Sequence, residues 1–316
     1  MKQIVYLNYI KIIAIIFVLI YHSEVTNDIF SSAFLSMCCP LFFVVNGYLM
    51  LRKEHSLSYL LRNNVKIFLM ILFWGGVCTF TYAYLQNEPI GAMNVFRHVR
   101  DLDQKYSDHL WFFCTLFILN LANPFIYKYL STGGNEIYLL LILIICTLPV
   151  FRQIYPLLMP LGDWQSYSLL YYVAGYCLLG NEKLLGKIKT WQISIVFVIA
   201  FALQLGYSVF QIHKHGFTPW YLVFFMYNSP AMVLMTLAFS ALFSKLCLPY
   251  NRILNLISRN TLGIYVIHVP LLRLWNHYQP NNGDLFLLKP LLILVISVVV
   301  CRLMETNRYT KYLIKF

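Results

Sequence analysis

Apolar residues fill this chain in runs of about 18–22, the length that crosses a hydrocarbon core of roughly 30 Å as a helix. Short polar stretches separate the runs. The pattern predicts ten spans at approximately 4–22, 31–51, 65–86, 109–128, 136–155, 165–181, 190–211, 222–245, 260–277 and 285–303. The fold class expected is all-α, a polytopic transmembrane helical bundle. The first span breaks the apolar rule twice. It reads YLNYIKIIAIIFVLIYHSE from Tyr6 to Glu24, and it carries Lys11 and His22. At roughly 100° per residue, eleven steps make about three turns, so the two lie on one helix face about 16 Å apart along the axis. Asn8 shares that face. Ionisable groups within a span are costly and usually face the bundle interior or a water-filled cavity.

Composition agrees with this class. The 316 residues are 60% hydrophobic and 11% charged, against about 45–50% and 25% in soluble domains. No repeat or linker divides the chain, and no loop is long enough to fold alone. One integral membrane domain over 1–316 is therefore expected. The first apolar run reads as a retained span rather than a cleaved leader, because it is too long and no small-residue cleavage site follows. The eight Cys show no CxxC pairing and no His partner at metal spacing. They read as small core residues, and no metal site is expected.

The net charge of +12 does not point to nucleic acid, because its carriers sit in short connections. With the N-terminus inside, sixteen Lys and Arg residues fall on the cytoplasmic side and seven on the other, with Lys11 inside a span. That asymmetry predicts an N-in, C-in orientation. Trp111, Trp164, Trp191, Trp220 and Trp275 fall near span ends, where an aromatic belt is expected. On this topology Lys11 sits in the inner half of its span and His22 near the outer end. His109 and Trp111 begin the fourth span at the depth of His22. The outer side also gathers Glu24, Asp28, Asp108 and Asp163, while Arg52, Lys53, Arg62 and Lys66 cluster inside.

Several segments resemble the acyltransferase 3 family of integral membrane acyltransferases. Lys11, ten residues and His22 stand where that family has Arg, ten residues and His. Phe42-Phe43-Val44-Val45-Asn46-Gly47-Tyr48 is similar to its FF–pair–Ser-Gly-aromatic segment. Arg62 and Lys66 match a basic pair that follows on the cytoplasmic side. His109-Leu110-Trp111-Phe112 resembles its HLWF-like stretch, and Tyr265-Val266-Ile267-His268-Val269-Pro270 its late YLxHxP segment. The matches run in family order from about residue 6 to 270. Two positions depart from the pattern: Lys11 replaces Arg and loses the five-donor fork, and Asn46 replaces Ser.

The resemblance implies transfer of an acyl group, usually acetyl, from acyl-CoA to a hydroxyl of an extracytoplasmic or lipid-linked glycan. A bacterial plasma-membrane location follows from it. Acyl-CoA is then the donor co-substrate, and the bilayer and a saccharide acceptor are the other partners. A homodimer is left open. Arg52, Lys53, Arg62 and Lys66 suit the CoA phosphates, with Lys11 and Asn46 along the path of the pantetheine arm. His22 would take the acceptor's proton as its oxygen attacks the thioester carbon. His109, Glu24 and Asp108 would share that outer end. Because the family includes members assigned to polysaccharide export, an exporter or flippase without acyl chemistry is the rival.

Each residue also has a plainer reading. His22 ends its span and suits a headgroup-facing imidazole. Lys11 suits a snorkelling side chain, and Asn46-Gly47 suits helix packing. Asp108 suits an N-cap for the helix that His109 starts. His268 lies two residues before Pro270, so a structural hydrogen bond fits as well as a functional role. The basic cluster also fits topological charge alone. No Walker loop, dinucleotide fingerprint, HExxH or GxSxG motif is present.

Overall fold

The computed structural model describes residues 5–23, 28–89, 91–100, 108–133, 135–147, 163–216, 227, 229–279 and 288–315. Every regular element among them is helical. The helices are α1 Val5–His22, α2 Ile29–Leu35, α3 Cys38–Leu51, α4 Leu57–Leu85, α5 Ala92–Arg100, α6 Trp111–Ser131 and α7 Glu136–Thr147. They continue with α8 Asp163–Leu179, α9 Glu182–Lys187, α10 Thr190–His215, α11 Pro230–Lys245, α12 Arg252–Arg259, α13 Thr261–Tyr278 and α14 Lys289–Glu305. A 3₁₀ turn at Asp108–Leu110 precedes α6, and another at Thr310–Leu313 follows α14.

The all-α membrane class stands. Among the described residues, four segments are long and apolar enough to cross a bilayer: Val5–His22, Ile29–Leu51, Leu57–Leu85 and Thr190–His215. Away from the helix ends, most of their outward side chains are apolar. Val198 and Leu203 of α10 and Val65 and Phe80 of α4 are all exposed, as a surface solvated by lipid requires. Other elements differ from the expected spans. Residues 31–51 are not one helix but α2 and α3, parted at Ser36-Met37. Pro40 explains the break: it has no N–H for the Ser36 carbonyl and cannot continue a helix from upstream. The third span begins eight residues early, at Leu57, where the Ser56 hydroxyl accepts the Tyr59 N–H at 3.3 Å. At 1.5 Å per residue α4 is about 43 Å long, more than the hydrocarbon core. Arg62 and Lys66 therefore stand on a helix rather than in a connection.

The chain divides into two compact units. The first comprises residues 1–17, 26–55 and 122–254. In it α8 packs along α3, α7 and α11, and α10 packs along α11 and α2. The Asp28 carboxylate accepts the Ser31 N–H at 2.7 Å and starts α2. The Ser31 hydroxyl and backbone together hold that carboxyl below the usual carboxylate range. Gly216, with φ of 64°, closes α10 in the left-handed conformation open to glycine. Asn123 of α6 donates to the Tyr172 hydroxyl at 2.7 Å and to the Met50 carbonyl at 3.4 Å, so an amide links three helices in an apolar surrounding.

The crossing of α3 and α8 relies on two glycines. A Cβ on Gly47 would collide with the Tyr172 backbone carbonyl, and one on Gly175 with the Val44 carbonyl. Neither backbone can yield without moving a helix. Gly47→Ala is expected to cost on the order of 3 kcal/mol, the upper end for overpacking. A lowered thermal midpoint of the detergent-purified protein checks this, with Gly186→Ala as the control because a Cβ at Gly186 meets nothing.

The second unit comprises residues 18–25, 56–121 and 255–316. Here α13 packs against α14, α4 and the Asp108–Leu110 turn, and α5 packs on α4. The Thr310–Leu313 turn rests on α4 and α14, fixed where the Trp74 indole donates to the Leu313 carbonyl at 2.7 Å. Asn64 and Asn120 join α4 to α6 by an amide–amide bond of 3.2 Å. Arg273 of α13 donates to the Cys78 carbonyl at 3.2 Å and lies 5.4 Å from the Tyr82 ring centroid, fastening α13 to α4.

Candidate active site

The second unit gathers three imidazoles. His22 is the last residue of α1, His109 lies in the turn before α6, and His268 lies midway along α13. The His268 ring is 5.1 Å from that of His22 and 5.8 Å from that of His109, centroid to centroid. His268 is fully buried, His109 is 2% exposed and His22 is half-buried. His268 therefore lies close to both of the others, and His22 is the most exposed of the three.

Local sequence explains each placement. Tyr265 and His268 are three residues apart, so they share one face of α13. The Tyr265 hydroxyl donates to the His109 carbonyl at 3.0 Å. Its ring lies 5.0 Å from Phe112, 5.7 Å from Phe113 and 5.5 Å from His268. Tyr265 thus ties the turn that carries His109 to the helix that carries His268. The His268 Nδ1 is 2.5 Å from its own helix carbonyl at Tyr265. A carbonyl only accepts, so Nδ1 carries the proton, and in the neutral form of the ring Nε2 is the acceptor. Among the described residues that Nε2, though buried, finds no hydrogen-bond partner. Pro270 follows two residues later within α13, and its missing N–H frees the Val266 carbonyl. His268 does not answer that carbonyl; its hydrogen bond goes to Tyr265 instead.

The other candidates are placed less closely. Lys11 and Asn8 are half-buried on α1, and the helix runs unbroken from Val5, so their shared face with His22 holds. By its helix rise Lys11 remains about 16 Å from His22 and does not touch it. Asn46 is half-buried on α3 beside Gly47, whose backbone contact with α8 gives this pair a packing role. Arg52 and Lys53 close the first unit's α3. Arg52 is stacked 4.9 Å over the Tyr48 ring, and Lys53 is exposed. Arg62 and Lys66 belong to the second unit, one turn apart on α4. Lys66 lies 5.4 Å from the Tyr312 ring centroid and Lys311 5.1 Å from the same ring. Glu24 and the side chain of Asp108 lie outside the described residues. Among the described residues no group of His, Cys, Asp and Glu is arranged to hold a metal ion.

Two residues escape a linear reading. Tyr265 stands in the late motif, but nothing in that motif predicts its bond to the His109 carbonyl. Lys289 reads as one more outer-side charge at the start of the last predicted span, yet it is 1% exposed. Its ammonium donates to the Ser23 carbonyl, next to His22, at 3.1 Å. A sequence signal existed for Lys289: it opens a helix, where the macrodipole disfavours a cation.

Apolar outward faces and a buried imidazole cluster define a helical integral membrane protein with a site suited to proton transfer. The chain belongs to the acyltransferase 3 family, whose profile, described as an acyltransferase domain, matches residues 4–305. No curated protein and no solved structure shows significant similarity to it.

Proposed function

We propose that this acyltransferase is an O-acyltransferase that moves an acyl group, acetyl first among them, from cytoplasmic acyl-CoA to a hydroxyl of an extracytoplasmic or lipid-linked glycan. His22 acts as general base. The observation that carries this reading is the approach of His22 to the buried His268. A base must be reachable by the hydroxyl it deprotonates, and His22 is the half-buried imidazole of the cluster. It must also be held in one tautomer. The bare Nε2 of His268 suits an N–H of His22, which leaves the other nitrogen of His22 for the acceptor proton. An unpaired buried acceptor costs about 1–3 kcal/mol. A partner that is made or strengthened during the reaction gives a reason to keep it.

The reaction balances simply. The acceptor oxygen attacks the thioester carbon, His22 takes the hydroxyl proton, the carbon–sulfur bond breaks, and the CoA thiolate leaves to be protonated. The polyanionic end of CoA needs a basic cradle. Arg62, Lys66 and Lys311 of the second unit supply cations, and Tyr312 lies between the two lysines. The ten-span, N-in and C-in topology that places these residues inside the cell and His22 outside, in a bacterial plasma membrane, is part of the proposal.

Reconstituted protein supplied with radiolabelled acetyl-CoA and bacterial envelope glycan should transfer label. Arg62→Ala with Lys66→Ala should raise the KM for acetyl-CoA about tenfold or more, since each charge-assisted phosphate contact contributes roughly 1.5–3 kcal/mol. The kcat and the acceptor KM should change little. Export of unmodified glycan by a protein that transfers no label would instead establish the flippase.

A further inference from the structure

We infer that Lys289 is a positioning residue for His22, holding the last turn of α1 in place through the Ser23 carbonyl; this rests on the role proposed for His22.

Lys289 is an anomaly by three measures. It is one of the largest fully buried side chains of the protein. It is an ammonium at the edge of an apolar segment, where an ionisable group is costly and seldom kept without a role. It also opens α14, where the positive end of the helix dipole repels it. Each of these would be relieved if the side chain turned to water or headgroups. Instead it reaches inward, and its Nζ meets the Ser23 carbonyl at 3.1 Å.

That carbonyl lies at the C-terminal end of a helix. The Ser23 N–H still bonds to the Leu19 carbonyl at 2.9 Å, so the helical ladder extends one residue past His22. The last carbonyls of a helix have no partner within its own ladder. A cation is favourable at this pole of the dipole for the reason it is unfavourable at the start of α14. Lys289 thus uses one helix's disfavoured position to reach another's favoured one. The consequence falls on His22, which occupies that same turn. A helix end without such a tie frays, and His22 would swing relative to His268. A misplacement of about 1 Å at a reacting group can cost on the order of a hundredfold in rate.

The test reads His22 directly, without requiring acyl transfer. The full-length protein in lipid nanodiscs is treated with diethyl pyrocarbonate, and carbethoxylation of each histidine is followed by mass spectrometry. Lys289→Met removes the donor at similar length. His22 should then react about tenfold faster, the factor expected from losing a charge-assisted hydrogen bond. His109 and His268 should stay slow, which reports an intact fold. Lys289→Arg keeps a cationic donor and should return His22 to near the native rate. If Lys289→Met unmasks all three histidines, Lys289→Gln replaces it, and a rise confined to His22 again supports the inference. An unchanged His22 rate in a folded variant overturns it. In the acetyl-transfer assay, Lys289→Met should lower kcat while leaving the donor KM alone. A native protein that transfers nothing, but whose His22 still responds to Lys289, would sink the proposed reaction and leave this inference standing.

Discussion

Replacing His22 by alanine should reduce acyl transfer by about a thousandfold, in the middle of the range for loss of a general base. The protein should still insert and fold. His22 is half-buried at the end of α1, so truncation leaves an opening toward the surface rather than a sealed core cavity, and little stability is at stake. The loss should appear in kcat with the donor KM unchanged, because CoA is assigned to residues elsewhere. Purified His22→Ala with a native thermal midpoint and near-native transfer would remove His22 from the mechanism.

A second large effect is expected at His268. His268→Leu fills much of the same volume but deletes both the Nδ1–H that bonds to Tyr265 and the Nε2 of a ring that lies 5.1 Å from that of His22. Transfer should fall roughly 10–100-fold through misorientation of His22. His268→Gln provides the discrimination. Its amide N–H can still meet the Tyr265 carbonyl and its oxygen can still accept, so it should recover a substantial part of the lost kcat. If His268 served packing alone, leucine would be tolerated better than glutamine, because burying an amide in an apolar helix interior carries the larger cost. A midpoint and a kcat measured on both variants therefore separate the two roles.

The same logic shows why His268 is hard to judge from the chain. A histidine two residues before a proline has a ready structural explanation in the carbonyl that the proline frees. Only the folded helix shows that the imidazole turns to Tyr265 instead, and that its ring lies close to those of His22 and His109. Lys289 is a sharper case. Counted along the sequence it is one more outer-side charge at the start of an apolar span. In the fold it is buried and bound to the carbonyl that follows His22.

The sequence by itself determined the helical membrane class, because an uninterrupted apolar run has few alternatives once every backbone group must be satisfied within the bilayer. It also determined the family, through motifs that recur in order, and the common face of Lys11 and His22, because helical periodicity fixes that locally. Hydropathy set the start of α4 at residue 65, and the cap at Ser56 moves it to Leu57 in the fold. Tertiary structure decided the rest. The break between α2 and α3 depends on how Pro40 resolves its missing donor, and the glycine crossing of α3 and α8 depends on which two backbones meet. The imidazole cluster draws on residues 22, 109 and 268, separated by 87 and 159 positions of chain. No periodicity relates positions so far apart. Their approach is set by how α13 packs on its neighbours and by the Tyr265 hydroxyl bond to His109, contacts that exist only once the second unit has formed.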